Sequence, residues 1–347
     1  MCNIAGYAGS RQAAPILLEM LKRQEYYDGN VSTGIATIHE GKLYYRKLVG
    51  DVDNLIANSD VLDLPGTIGI AHTRPSGTAG TVAAHPCLSA DETLALVTNG
   101  TTPKTKYCAN WDAAVDMLAE KGYKFQHTNP ASCKSPKLKR SGCHISVLEA
   151  RIALTQMYLQ EGKSFPQAMA LACAHMYSDN ASVMLGEYHP DTIFALRSTR
   201  PLLTYTEDGE TYLATCRYAF EEGMGDKAMY LPLHKACEIT RTGATVTAHK
   251  MDIEPVSEIT NETFREGYDR LCRKLSVPKE NALYFDELEF AVLEMRDIFE
   301  GDHTYLQHAR LVYDVLWQLD KEGRLCRELR QQESKYGLRK RYYMWIE

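Results

Sequence analysis

No run of apolar residues in this chain approaches the roughly 20 that cross a bilayer, and the opening MCNIAGYAGSRQAAP lacks the basic-then-apolar order of a secretory signal. Neither a membrane span nor an export signal is expected, and the chain reads as cytoplasmic. Basic charge is not in excess: 39 Lys and Arg stand against 45 Asp and Glu, a formal net charge of -6. That balance speaks against a nucleic-acid binder and fits a small or neutral partner better. Paired CxxC spacing is missing among the ten cysteines, so neither a zinc ribbon nor a small disulfide framework is indicated. Cys133 and Cys143-His144 are close in sequence but irregularly spaced, which indicates no metal site, and nothing implies a cofactor. No internal repeat is found. What remains is globular: 347 residues, 44% hydrophobic and 24% charged, suffice for one large domain with an addition or for two domains.

Ile16, Leu17, Met20 and Leu21 recur at helical spacing and predict an amphipathic helix within 12–26, fed by a short apolar strand from Asn3 to Tyr7. Alternation over Gly34–Ile38 and Lys42–Leu48, punctuated by Glu40-Gly41, predicts a hairpin. Further strands are expected at Thr67–His72 and Thr93–Thr98, both running into polar, glycine-containing loops where site residues commonly lie. A helix is expected over Trp111–Lys121, with Asn110 as cap and Gly122 as stop. Ser146-Val147-Leu148-Glu149 has the capping-box pattern and opens a helix to about Glu161; Ser164–Gln167 repeats the pattern ahead of Ala168–Tyr177. Ser182–Glu187, Thr192–Leu196, Leu202–Thr206 and Thr211–Thr215 are short and β-rich and predict a second antiparallel sheet. Strands, helices and strands in blocks imply an α+β fold. Beyond about Ile259 the pattern turns helical, at Phe285–Phe299 and Tyr305–Leu319. The expected division is a domain of residues 1–258 and a helical C-terminal extension of residues 259–347, with Arg339-Lys340-Arg341-Tyr342-Tyr343 as a solvated helix face.

Cysteine at position 2 is small enough for Met1 to be trimmed, which leaves a thiol and a free α-amine on one residue. Together they form a nucleophile and its base, because a terminal amine has a reference pKa of about 7.7–8.0 and takes up a thiol proton directly or through a water. Alone, this signal is weak. Asn99-Gly100 alone reads as a hairpin turn, and Arg74 alone as a surface residue.

The segments MCNIAGYAG, APILLEMLKRQEYYDGNVSTGIA, GTIGIAHTRPSGTAG, AAHPCLSADETLALVTNG, AEKGYKF and HPDTIFALRSTRPLL, kept in order from Met1 to about Met251, change that weighting. They resemble the class II glutamine amidotransferase domain, in particular that of the glucosamine-6-phosphate synthases. The resemblance implies a four-layer αββα sandwich of the N-terminal-nucleophile hydrolase type. It implies Cys2 as the nucleophile, and Asn99 and Gly100 as an oxyanion pair acting through a side-chain amide and a backbone N–H. Such a preorganised donor can be worth about 2.7–4 kcal/mol in the transition state. It implies Arg74 as the holder of a glutamine α-carboxylate, a task suited to its planar fork, with Thr78 in the same substrate-binding loop.

Departures accompany the matches. HTRPSGTAG carries one residue more than the family's Arg-Trp and Thr-His-Gly segment, and an arginine expected within Glu25–Gly34 is missing. The stretch from Phe125 to Gly142, rich in Lys, Ser and Pro, reads as an inserted loop. The family's Asp, which pairs with the glutamine α-ammonium before the next helix, gives way to His144 in SGCHISVLE, and no Asp occurs between Asp116 and Asp179. A buried ammonium is costly without a carboxylate; Glu149, the nearest acid, already has a capping role. The expected activity is hydrolysis of a side-chain amide, glutamine to glutamate and ammonia, through a thioester. Two alternatives stand beside it: a hydrolase of another amide lacking a free amine, and a catalytically weak homologue that binds or regulates through its extension. Residues after Met251 are too few for the sugar-isomerase lobes of the synthases, so an ammonia-accepting partner protein is expected. Self-association is left open, and no nucleic acid or membrane is expected as a partner.

Overall fold

Both faces of the first strand are apolar, and both are covered. In β1 (Asn3–Ala8) every residue is buried. Side chains alternate along a strand, so Ile4 and Ala8 enter one cluster while Ala5 and Tyr7 enter another. A strand buried on both sides belongs in the interior of a layered sandwich.

The computed structural model describes residues 2–75, 84–100, 108–129, 135–253, 256–300, 304–334 and 337–347. After β1 come α1 (Ala13–Gln24), β2 (Ser32–His39), β3 (Lys42–Val49), α2 (Val52–Ala57), β4 (Ile68–Arg74), β5 (Cys87–Leu88) and β6 (Leu94–Asn99). Then follow α3 (Cys108–Glu120), β7 (Thr128–Asn129), β8 (His144–Ile145), α4 (Val147–Gln160), α5 (Phe165–His175), β9 (Ala181–Gly186) and β10 (Ile193–Arg197). β11 (Leu203–Glu207), β12 (Glu210–Ala214), α6 (Met224–Lys227), β13 (Met229–Tyr230), β14 (Lys235–Thr240) and β15 (Gly243–Lys250) complete the sandwich. The C-terminal part holds α7 (Asn261–Leu275), α8 (Phe285–Glu294), α9 (His308–Lys321), β16 (Leu325–Ser334) and β17 (Gly337–Ile346).

One sheet has seven strands in the order β13-β11-β12-β1-β4-β2-β3, and the other six in the order β15-β14-β10-β9-β6-β5. Between them lies an aliphatic layer that includes Ile4, Ile38 and Ile70 from the first sheet and Val97, Val183 and Ile193 from the second. On the outer face of the first sheet, α1 buries Leu17, Leu18 and Leu21 against Ala5, Tyr7, Ile35 and Ala71. Each fully buried leucine there contributes about 1.5–3 kcal/mol. On the outer face of the second sheet, Ile152 of α4 and Phe165 and Met169 of α5 cover Leu94, Leu96, Met184 and Phe194. The result is the expected αββα sandwich. The hairpin of β2 and β3 turns at Glu40 and Gly41, whose φ values of 49° and 73° match a two-residue turn with both residues left-handed.

Several local expectations are corrected. β11 and β12 were assigned to the second sheet; instead β12 pairs with β1, Ala5 opposite Ala214 and Tyr7 opposite Tyr212, and carries β11 into the first. Asn110 lies inside α3 and does not cap it. Ser146 stands at the N-cap of α4 without a side-chain bond. Glu149 does not form a capping box: its buried carboxylate accepts from the N–H groups of Gln126 (2.6 Å) and His127 (2.8 Å), tying the preceding chain to the helix. The basic stretch 339–343 is not a solvated helix face but part of β17, where Arg339 and Arg341 are buried. Among the described residues the extension thus carries the α-helices α7, α8 and α9 and the long β16–β17 hairpin. It packs on the sandwich through Tyr27 and Cys216, which share a cluster with Phe285, Leu288, Val312, Leu316 and Met344.

Candidate active site

Antiparallel register decides what stands beside the nucleophile. Asn3 pairs with Thr73 across β1 and β4, so Cys2 lies at the same end as Arg74. From the second sheet, β6 ends at Asn99, opposite Ala181 of β9. Residues remote in sequence therefore meet where the two sheets end together. The N–H of Cys2 donates to Asn99 Oδ1 at 3.2 Å, and the backbone N–H of Gly100 is near enough to the Cys2 thiol to favour its ionised form.

Burial pushes the Cys2 thiol up from its ordinary value; Arg74, the chain-terminal amine, Arg200 and the Gly100 N–H oppose that rise. The thiol therefore keeps its proton near neutral pH and needs a base to become a thiolate. Asn99 is buried, with its carbonyl oxygen turned to Cys2. Its Nδ2, also buried, has no hydrogen-bond partner among the described residues. A buried amide nitrogen without an acceptor is costly, and it is the donor that a developing oxyanion would satisfy. Gly100 has a φ of +79°, and a Cβ there would lie 2.0 Å from the backbone oxygen of Asp179. No other residue fits that position.

Two imidazoles support this strand end from behind. His72 and His85 stack with ring centroids 3.8 Å apart. His85 Nδ1 accepts the N–H of Thr98 at 3.2 Å, and His72 Nε2 lies 3.1 Å from the Thr98 carbonyl. Burial, reinforced by Arg74, lowers His72 to about 3, and burial with His72, Arg74 and Lys47 around it drives His85 far below its usual range. In the unfolded chain both titrate near a pKa of about 6.5. Below that pH the unfolded state binds protons the folded state refuses, so stability is intact above it and falls on acidification, by about 1.4 kcal/mol per pH unit per histidine. Glu25, pushed up to about 8 by burial, acts in the opposite direction between its unfolded and folded values. The contribution of the pair is isolated by substitution: His72→Gln is expected to make the decline of the urea midpoint between pH 6.5 and 5 shallower. Equal slopes in parent and variant would mean that His72 is not held neutral.

The extension reaches this end of the sandwich. Tyr313 of α9 donates to Asn3 Oδ1 at 3.2 Å, and Asn3 Nδ2 donates to the Asp28 carbonyl at 2.7 Å. Arg339 of β17 donates to Asp28 Oδ1 (3.1 Å) and the Gly29 carbonyl (3.0 Å). An arginine thus comes from β17 to the segment that lacks the expected one. Carboxylate oxygens of Asp28, Asp286 and Glu289 lie within 4.8 Å of one another. Each is met by a guanidinium: Arg339 at Asp28, Arg341 at Asp286 (3.1 Å) and Arg200 at Glu289 (2.7 Å). The group is an ion-pair network with its charge largely balanced.

Of the residues singled out from the sequence, Cys2, Arg74, Asn99 and Gly100 come together. Thr78 lies outside the described residues. His144, on β8, pairs with Asn129 of β7, meets Ser135 (Nδ1 to Oγ, 3.4 Å) and bridges to Lys137; nothing described joins it to Cys2. Sequence reasoning missed Asp179, Arg200, Glu289 and His308. Asp179 and Arg200 lie in or beside segments that were noticed as strands, but nothing local marks Glu289 on a helix more than 280 residues after Cys2.

No family model matches the chain. It is 30% identical over 273 residues to the glutamine–fructose-6-phosphate aminotransferase (isomerizing) of Bacteroides thetaiotaomicron, covering 77% of this chain and 40% of that protein. With the enzyme of the same name from Zymomonas mobilis it shares 32% over 251 residues, 71% of this chain and 36% of the other. Among solved structures, the glutamine phosphoribosylpyrophosphate amidotransferase of B. subtilis, complexed with ADP and GMP, superposes with a TM-score of 0.57 at 15% identity, over 94% of this chain and 66% of that one. The chain spans two fifths or less of the length of these curated relatives, 40% and 36%.

Proposed function

Because this chain carries a class II glutamine amidotransferase domain with the N-terminal-nucleophile fold, we propose that it hydrolyses the side-chain amide of glutamine to glutamate and ammonia. The observation that carries this reading is the state of Asn99: its oxygen is held by Cys2 N–H while its buried Nδ2 has no acceptor among the described residues. With Met1 removed, the Cys2 nitrogen is an amine. It takes the thiol proton as sulfur attacks the amide carbon, and the carbonyl electrons move to an oxyanion that accepts from Asn99 Nδ2 and Gly100 N–H. Collapse breaks the C–N bond, the amine returns the proton, and ammonia leaves a glutamyl thioester. Water cleaves the thioester to glutamate and restores the thiol. Arg74 offers its fork to the α-carboxylate. Helices long and apolar enough to cross a membrane are absent among the described residues.

An amide without a free α-amine is the second reading, favoured by His144 in place of the expected acid. An acceptor for the ammonia, in a further segment or a separate protein, completes the proposal. The test is to incubate the purified protein with L-glutamine, assay glutamate and ammonia, and measure intact mass after exposure to a glutamine-like electrophile. Equimolar products, loss of Met1 and one adduct on Cys2 are expected. No products together with an unmodified Cys2 would reject the reading.

A further inference from the structure

Gly100 is set against a wall made by residues 179–200. A Cβ on it would meet the Asp179 carbonyl oxygen at 2.0 Å and Arg200 Cγ at 3.0 Å. The wall is tied by backbone bonds from Ser198 (2.7 Å) and Thr199 (3.2 Å) to the Asn180 carbonyl. Side chains continue it. Arg200 donates through one branch of its guanidinium to Asp179 Oδ2 at 2.9 Å and through the other to Glu289 Oε1 at 2.7 Å. His308 Nε2 stands 3.3 Å from that same Glu289 oxygen. Asp179 is 5% exposed at its side chain, and Arg200 and Glu289 12% each, so water screens these pairs little.

We propose that Glu289 is a positioning residue for the oxyanion donors: through Arg200 it holds the Asp179 wall against Gly100, and the C-terminal extension thereby completes the catalytic centre. The inference rests on the glutaminase reading above. Glu289 belongs to α8, Asp179 to the turn before β9 and Gly100 to the end of β6, so the clamp joins the extension to the second sheet. Burial opposes the charge on Glu289, but the terminal amine, Arg200 and His308 outweigh it and hold the carboxyl well below its ordinary range. Arg200 is held between the carboxylates of Asp179 and Glu289. A donor displaced by a fraction of an ångström meets the ground-state amide about as well but the oxyanion worse. Loss of the clamp should therefore appear in kcat and leave KM alone.

Glutamine hydrolysis by the unmodified protein is measured first, together with its affinity for glutamate and for the aldehyde analogue of glutamine, which adds to the thiol and places an oxygen in the oxyanion position. Glu289→Gln keeps the size and removes the charge. Expected are a kcat lowered roughly 10-fold or more, aldehyde affinity reduced in proportion, and KM and glutamate affinity within about twofold, a margin inside which a clamp without ground-state contact should stay. Glu289→Asp, which restores the charge, is expected to recover part of kcat. Unchanged kcat in both variants overturns the proposal. So does a rise in KM with kcat preserved, which would place Glu289 on the substrate ammonium, and so does loss of glutamate binding alongside turnover in both variants, which would make its role merely structural. A parent protein that neither turns over glutamine nor binds the aldehyde removes the glutaminase reading, and this inference with it; an active parent with indifferent variants removes this inference alone.

Discussion

Purified Cys2→Ala is expected to release no glutamate from glutamine while melting within a few degrees of the parent. The first half follows from the chemistry: without sulfur there is no thioester route, and the donors at Asn99 and Gly100 have no tetrahedral adduct to stabilise. The second follows from position. Cys2 precedes β1 and is only half-buried, whereas the ladder with β4 begins at Asn3 and the packed layer at Ile4. Replacing a thiol by hydrogen there removes few contacts. Turnover equal to that of the parent would dismiss Cys2 as the nucleophile. A large fall in melting temperature would show instead that the residue anchors the start of the strand.

Asn99→Ala carries the second large effect, a fall in kcat of about 10²–10³, which corresponds to the loss of one oxyanion donor. KM should move little, because Nδ2 faces charge that develops only after attack. The amide oxygen complicates the substitution, since it accepts from Cys2 N–H at 3.2 Å. Asn99→Asp keeps an acceptor for that nitrogen and removes the donor, so a similar loss in both variants assigns the effect to Nδ2. If Asn99→Ala raised KM and spared kcat, Asn99 would be a ground-state contact and the oxyanion assignment would fail.

The glycine between these residues and the wall behind them shows how far the sequence could be read. Asn99-Gly100 at a strand end is visible as a turn, and the ordered blocks around it turn it into an oxyanion pair by resemblance. The left-handed φ of Gly100 agrees with both. That Asp179 and Arg200 press on it is not written locally, because Asp179 arrives with β9, whose pairing to β6 joins residues more than 80 positions apart, and Arg200 with the segment after β10. The same limit misassigned β12: alternation identifies a strand but not its neighbour, and only burial of Ala5, Tyr7 and Ala214 in one cluster places it beside β1.

By itself the sequence determined the elements whose cause is local: the α1 stripe, the β2–β3 hairpin with its left-handed turn, the strand ends that carry Arg74 and Asn99, and the thiol at position 2. Hydrophobic period and turn chemistry act within a few residues and can be read there. The tertiary structure alone decided which charges are buried together. Glu149 bonds two backbone N–H groups in place of a cap, Arg339 leaves the expected solvent to meet Asp28, and Glu289 returns from the extension to Arg200 behind Gly100. A charged residue in sequence reads as surface because most are; it is retained inside only where another charge meets it, and that partner is set by packing between segments hundreds of residues apart.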